Sequence, residues 1–188
     1  MRIPLTIISC LLATSCMSGN PVKHDYYLLR SDTPVEISRQ MNPEGIILTQ
    51  VSVATYLNEA GLVLETSDGK INTAELHLWA EPLRHSLRQF LADEITAAAG
   101  KDIYTNSNGL TSPAAEVSIN INQLHGTHDG NALLVASWAI HIKTDKKARK
   151  TAYQFSKKAP LQTDGYDALV AAEKLLLKDL ATEIAESL

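Results

Sequence analysis

Cysteine is almost absent from this chain of 188 residues, and what there is lies at one end. Both cysteines, Cys10 and Cys16, fall within the first 16 residues, so the rest of the chain can form no disulfide, thiolate metal site or cysteine nucleophile. Positive charge is not in surplus either, because the formal net charge is −4. That balance argues against a general binder of nucleic-acid backbones. No apolar run reaches the roughly 20 residues that a membrane-spanning helix needs, which excludes a polytopic membrane protein.

Recognisable catalytic motifs are also missing. The sequence contains no glycine-rich phosphate loop, no Gly-x-Ser-x-Gly elbow and no His-Glu-x-x-His. His125 and His128 stand three residues apart beside Asp129, but they fall in a glycine-containing stretch that predicts a turn. Polar residues are ordinary in a turn, so metal binding there is the weaker interpretation. We therefore predict no catalytic residue, no metal site and no dissociable cofactor.

The first residues resemble a bacterial lipoprotein leader. Arg2 supplies a short positive region, and residues 3–13 form an apolar segment of signal-peptide length. Small residues then precede Cys16, as in a lipobox, where the cysteine thiol receives a diacylglycerol and the peptide is cleaved just before it. Cys10 is a rival acceptor with a much shorter apolar segment before it. A plain secretory signal with an incidental cysteine is the other alternative.

Accordingly, we predict a signal peptide over residues 1–15, a lipidated tether over residues 16–24 and one folded domain over residues 25–188. The covalent groups expected are a diacylglycerol and an N-acyl chain on Cys16, and several acyl chains on one residue anchor a protein stably. Met17 and Ser18 follow without the aspartate that favours inner-membrane retention in enterobacterial lipoproteins. By that resemblance, the destination is the periplasmic face of the outer membrane.

Alternating hydrophobicity predicts a β-rich domain. Residues 46–53 form the clearest strand, with Ile47, Thr49, Val51 and Val53 expected on one face. Residues 61–66 and 71–78 are typical of a hairpin, because Asp-Gly lies at the centre of the turn between them. Further strands are predicted at residues 25–30, 102–105, 117–122, 132–143 and 149–156.

Two amphipathic helices complete the pattern. The first opens at Glu81-Pro82, carries one apolar stripe and ends at Gly100. The second starts near Gly165, with Asp164 as its expected N-cap and Leu175 among the residues that widen its stripe. Two helices and about seven strands predict a single α/β (α+β) domain, a mixed sheet with helices packed on it.

The densest positive cluster contains Lys146, Lys147 and Arg149, near a predicted turn. A solvated hairpin tip explains it best. The alternative is a contact for an acidic partner or for anionic lipid head groups.

Several segments together resemble the ABC-type transport auxiliary lipoproteins of the PqiC (YmbA) family. The most specific pieces are a valine-rich strand ending in Tyr56-Leu57 and, about twenty residues later, Leu-Trp-Ala-Glu-Pro-Leu at residues 78–83, which includes Trp79, Glu81 and Pro82. Tyr26-Tyr27 and a Tyr-Asp-Ala-Leu-Val segment at residues 166–170 also match. Ala13 in the lipobox and His77 before the tryptophan segment depart from the usual pattern.

This resemblance implies a fold like the anticodon-binding and TolB N-terminal domains. It also implies a non-enzymatic outer-membrane lipoprotein that serves an ABC lipid-transport system between the inner and outer membranes and supports envelope integrity. The implied partner is a periplasm-spanning subunit with MCE (mammalian cell entry) domains, received by a homo-oligomeric ring. The alternatives are an envelope-integrity lipoprotein that binds partners unrelated to transport, and a lipoprotein hydrolase, for which no catalytic constellation is visible.

The physical interpretation of the Trp79 segment is independent of the family. Tryptophan buries a large area, and a glutamate beside a helix start is favourable for the helix dipole. A strand-to-helix corner therefore explains these residues better than a binding site does.

Overall fold

The computed structural model describes residues 22–32, 42–67, 69–108, 110–144 and 147–188. Strands and helices follow one another in the order β1 (Asp25–Tyr27), β2 (Ile46–Val53), a 3-10 helix (Thr55–Asn58), β3 (Gly61–Ser67), β4 (Lys70–Trp79), α1 (Leu83–Ala99), β5 (Ile103–Tyr104), β6 (Ala115–Gly126), β7 (Asn131–Thr144), β8 (Lys147–Pro160) and α2 (Tyr166–Glu186). The predicted α+β architecture is confirmed, with eight strands in one mixed, open sheet. None of the helices in the described residues is long and apolar enough to cross a membrane.

The sheet is forked around β6. One edge of β6 pairs antiparallel with β7, and β8 continues the sheet beyond β7. Its other edge pairs first with β2, along Ala115 to Ile121, and then with β3, where Gly126 is opposite Leu64. β5 extends the β2 branch, while β4 and β1 extend the β3 branch. One continuous stretch of chain, from β2 through the 3-10 helix to β3, thus follows a single edge of the central strand.

Both helices cover one face of this sheet. The apolar side chains of β6 that alternate with polar ones, Val117, Ile119 and Ile121, are buried under them. The opposite face carries polar residues, among them Ser118 and Asn120. Each helix adds leucines and isoleucines to the same core.

The strand at residues 46–53 has the predicted bounds, and Val51 and Val53 lie on the core side as predicted, but the predicted face is wrong before them. A β-bulge between Leu48 and Gln50 shifts its register against β6. Leu48 and Val51 therefore point into the core at 0% and 4% exposure, while Thr49 is exposed. An extra residue in one strand reverses the alternation beyond it.

The helix ends give a mixed result. Gly100 ends α1 in the left-handed region, at φ 62°, as predicted. Pro82 is the N-cap of α1, one residue outside the helix. The prediction for α2 is wrong on two residues. Gly165, at φ 109°, takes the N-cap position, and no side chain, Asp164 included, makes a capping bond. Leu175 is 57% exposed because it lies on the solvent side of the helix.

Candidate functional site

The motif residues converge where β4 turns into α1, a region we call the Trp79 corner (residues 79–83). Trp79 ends β4 opposite Tyr27 of β1, and its side chain is only 7% exposed. The backbone is fixed on both sides, since the Trp79 N–H donates to the Ala60 carbonyl at 2.7 Å and the Ala80 N–H donates to the Tyr27 carbonyl at 2.8 Å. The Trp79 segment and the Tyr26-Tyr27 segment therefore meet in three dimensions.

Glu81 serves the helix start through its side chain. Its two carboxylate oxygens accept hydrogen bonds from the Arg30 guanidinium at 2.7 and 2.8 Å. The Ser86 hydroxyl, one turn into α1, donates to the same carboxylate at 3.0 Å. The hydrogen bond from Arg30, followed by that from Ser86, lowers the pKa of Glu81. One guanidinium nitrogen, Nη2, donates to both oxygens. This charge-assisted contact lets Glu81 tie the segment after β1 to the entry of α1.

Tyr27 joins this corner to the far end of the sequence. Its hydroxyl donates to Asp167 in the first turn of α2 at 2.9 Å and lies 3.1 Å from Nδ1 of His77. The ring of His77 stacks on Tyr166, with centroids 4.1 Å apart. Burial and the hydrogen bond to Asp167 raise the pKa of Tyr27 to about 12. The tyrosine motif near the start therefore contacts the Tyr-Asp motif 140 residues later. The neighbouring Tyr26 is 65% exposed.

Tyr56 and Leu57 fill the fork of the sheet. The hydroxyl of Tyr56 accepts a hydrogen bond from the Leu124 N–H at 3.2 Å and lies 3.0 Å from Nδ1 of His125. Leu124 falls where β2 has left β6 and β3 has not yet arrived, so Tyr56 occupies a position that a strand would otherwise fill. Leu57 is 3% exposed beneath it.

His125 differs from its predicted surroundings. It lies within β6, not in the turn, and is 7% exposed. Burial lowers its pKa, so the neutral ring is favoured beside the Tyr56 hydroxyl. Among the described residues, no group of three or more histidine, cysteine, aspartate or glutamate side chains is placed to hold a metal ion.

Glu173 packs beside the Trp79 corner and was not predicted as a site residue. It lies on the inner side of α2 at 2% exposure, beside Leu57, Trp79 and Leu83, around a space that does not admit a water molecule. Within the described part of the chain its Oε2 atom has no hydrogen-bond partner. Burial raises the pKa of Glu173 to about 8, so the carboxyl is mostly protonated at neutral pH. Its position in line with Leu169, at the four-residue spacing of the apolar stripe, was the available signal.

Together these groups stabilise the Trp79 corner by packing and hydrogen bonding. Tyr27, Tyr56, His125 and Glu173 connect β1, the 3-10 helix, β6 and α2, and the last two are buried at 7% and 2% exposure. Of the basic cluster, Arg149 is exposed in β8, Lys147 begins that strand, and Lys146 lies outside the described residues, as do Cys10 and Cys16. The two interpretations of the cluster stay open.

Comparison with known proteins agrees with the fold and with the motifs. The family model for the ABC-type transport auxiliary lipoprotein component matches residues 27–185. The intermembrane transport lipoprotein PqiC of Escherichia coli K12 is 25% identical over 184 residues, which is 98% of this chain and 96% of that protein; the Shigella flexneri protein of the same name gives the same values. The crystal structure of an uncharacterized protein, 24% identical, superposes with a TM-score of 0.69 over 88% of this chain and 98% of its own. A Xanthomonas campestris protein of 12% identity gives 0.59 over 88% and 85%.

Proposed function

Because this chain belongs to the family of ABC-type transport auxiliary lipoprotein components, we propose that it is the outer-membrane subunit of a lipid-transport system, anchored through acyl chains on Cys16. The family match over residues 27–185 carries the proposal. The lipobox-like residues before Cys16 support the anchor, and a family described as a transport component, rather than as an enzyme, supports a role in binding.

The partner in this proposal is a periplasm-spanning MCE-domain subunit, which the lipoprotein receives at the outer membrane. A helper of this kind acts through its surfaces, because the residues of its Trp79 corner are committed to packing. A ring of several copies would present a central opening to such a subunit, and closed rings are a common solution for homo-oligomers. The alternative, an envelope-integrity lipoprotein unrelated to transport, predicts no association with an MCE-domain protein.

Replacement of the acylated cysteine tests the anchor. The full chain and its Cys16→Ala variant are expressed with a labelled fatty acid, and the membranes are fractionated. We expect the wild-type protein in the outer-membrane fraction with label, and the variant soluble or uncleaved without it. Cys10→Ala is the matched control and should behave as wild type. A Cys16→Ala protein that still carries label and fractionates with outer membranes would contradict the anchor; loss of label in Cys10→Ala alone would move it to that residue.

Co-purification tests the partner and the ring. The detergent-extracted wild-type protein should retain the MCE-domain subunit of its own transport system, and light scattering should give the mass of several copies. A monomer at all micromolar concentrations would remove the ring. Failure to retain the MCE-domain subunit under conditions that keep the ABC permease and that subunit together would favour the alternative.

A further inference from the structure

A groove of about 520 Å³ lies apart from the Trp79 corner, between β2 and the first two turns of α1. Thr49, Gln50 and Val51 form one wall, and Arg84, His85 and Arg88 line the other. Its walls therefore combine strand backbone with three side chains that are cationic or can become so.

The strand wall of this groove is an open edge. Ile46 and Ile47 pair with β6 on one side and with β5 on the other. β5 ends there, and in the described part of the chain no strand pairs with that side of β2 beyond Ile47. Arg88 marks the boundary, because its Nη2 atom donates to the Leu48 carbonyl at 2.9 Å and to the Thr105 carbonyl. Beyond these two hydrogen bonds of Arg88, the unpaired edge of β2 faces the groove.

The positive charge of the other wall is not neutralised locally. Neither Arg84 nor Arg88 forms an ion pair with any side chain in the described ranges. The Glu81 carboxylate, whose pKa His85 helps to lower, is already paired with Arg30. In a chain with a formal net charge of −4, an unpaired cationic wall is a local exception that attracts acidic groups.

We propose that this groove binds an extended acidic segment of a partner protein, which adds as a strand to the free edge of β2 beyond Ile47 and places its carboxylates against Arg84 and Arg88. Strand addition uses main-chain hydrogen bonds for affinity and side-chain contacts for specificity. A phosphate head group would use the charges and leave the strand edge unsatisfied, so the peptide accounts for both walls. The proposal adds a site to the function proposed above and does not depend on which protein supplies the segment.

Fluorescence anisotropy with synthetic peptides tests both walls. The full chain, purified in detergent, is titrated into a fluorescein-labelled (Glu-Thr)₅ peptide, and the same peptide with every backbone nitrogen methylated keeps the charge but has no N–H donors. We expect (Glu-Thr)₅ to bind, and the methylated peptide and (Lys-Thr)₅ to bind at least about tenfold more weakly. Arg84→Glu, at an exposed position, should weaken (Glu-Thr)₅ by at least about tenfold. Lys70→Glu, an exposed charge reversal in β4, should leave it unchanged.

Three outcomes would overturn the proposal. No binding of (Glu-Thr)₅ rejects the site, and equal binding of the methylated peptide reduces it to nonspecific charge attraction. Arg84-dependent binding of dihexanoyl phosphatidylglycerol in place of the peptide would identify a head-group site. None of these results bears on lipid anchoring, which is tested at Cys16, so a failure here is distinguishable from a failure of the proposed function.

Discussion

Replacing Glu173 with glutamine is expected to remove a strong pH dependence from the free energy of unfolding. Burial raises the pKa of this carboxyl from 4.5 to about 8 in the folded protein, whereas the unfolded chain keeps the ordinary value. Below pH 4.5 both states hold the proton. Between pH 4.5 and 8 the unfolded state releases it and the folded state retains it, so stability falls as pH rises. Above pH 8 both states are ionised and the loss is complete.

The size of this effect follows from the two pKa values. Their difference, about 3.5, corresponds to about 5 kcal/mol, since each pH unit is worth about 1.4 kcal/mol. A domain is stable by only about 5–15 kcal/mol in total, so one buried carboxyl has a large influence at neutral pH. Glutamine carries no titratable proton, and Glu173→Leu also removes the polar group; both variants should therefore gain stability relative to wild type as pH rises.

Urea denaturation at several pH values between 4.5 and 8 measures this difference. The free energy of unfolding of Glu173→Gln minus that of wild type should grow by about 4 kcal/mol across this range and reach about 5 kcal/mol only beyond both pKa values. Glu183→Gln, at an exposed position of the same helix, is the control, and its difference should stay within about 0.5 kcal/mol. A constant difference for Glu173→Gln would show that the carboxyl is ionised in the folded state, and the dry packing of Glu173 against Trp79 would be refuted.

Three further substitutions test the fold around this carboxyl. Tyr56→Phe should cost about 1–3 kcal/mol, because it leaves buried polar groups unpaired; hydrogen exchange of the Leu124 amide should accelerate, and unchanged exchange would contradict the contact. Trp79→Ala should cost about 3–5 kcal/mol in urea denaturation, whereas the exposed Tyr26→Ala should cost little; an unchanged midpoint for Trp79→Ala with lost partner binding would make that residue an interface. Gly61→Ala should destabilise by about 1–3 kcal/mol, because the added Cβ would lie 2.1 Å from a backbone oxygen of β4; full wild-type stability would show that the two strands are less closely apposed.

Signals that act within a few residues were predictable from the sequence. The hairpin between β3 and β4 follows from its Asp-Gly turn, and the end of α1 follows from Gly100, because each depends on local backbone conformation. The bulge in β2 was not predictable, since the residue that slips is decided by pairing with β6, about 70 positions away. The N-cap prediction for α2 missed by one residue, because Gly165, at φ 109°, takes that position and no side-chain capping bond forms.

The candidate site was predicted in pieces and not as a whole. The sequence places Trp79 and Glu81 at a strand-to-helix corner, and the structure confirms that location. Nothing in the sequence brings Tyr27 to Asp167, because that contact requires α2 to cross the end of the β1–β4 pair. The carboxyl of Glu173 escaped notice because a glutamate on an amphipathic helix is ordinarily assigned to the solvent side.

The free edge of β8 and the free part of the β2 edge differ in what they can accept. The outer edge of β8 is 14 residues long and carries Arg149, Lys150, Lys157 and Lys158. Antiparallel pairing of two copies centred near Tyr153 would place Arg149 and Lys150 of one copy beside Lys158 and Lys157 of the other, and like charges across a strand pair oppose association. Within each copy, Lys157 and Lys158 already form ion pairs with Asp179 and Asp129. Pairing of two β8 strands would add positive charge beside these lysines and supply no further acidic partner. A ring of this lipoprotein would therefore use surfaces other than β8. The shorter free edge of β2, beside Arg84, stays available for an acidic strand.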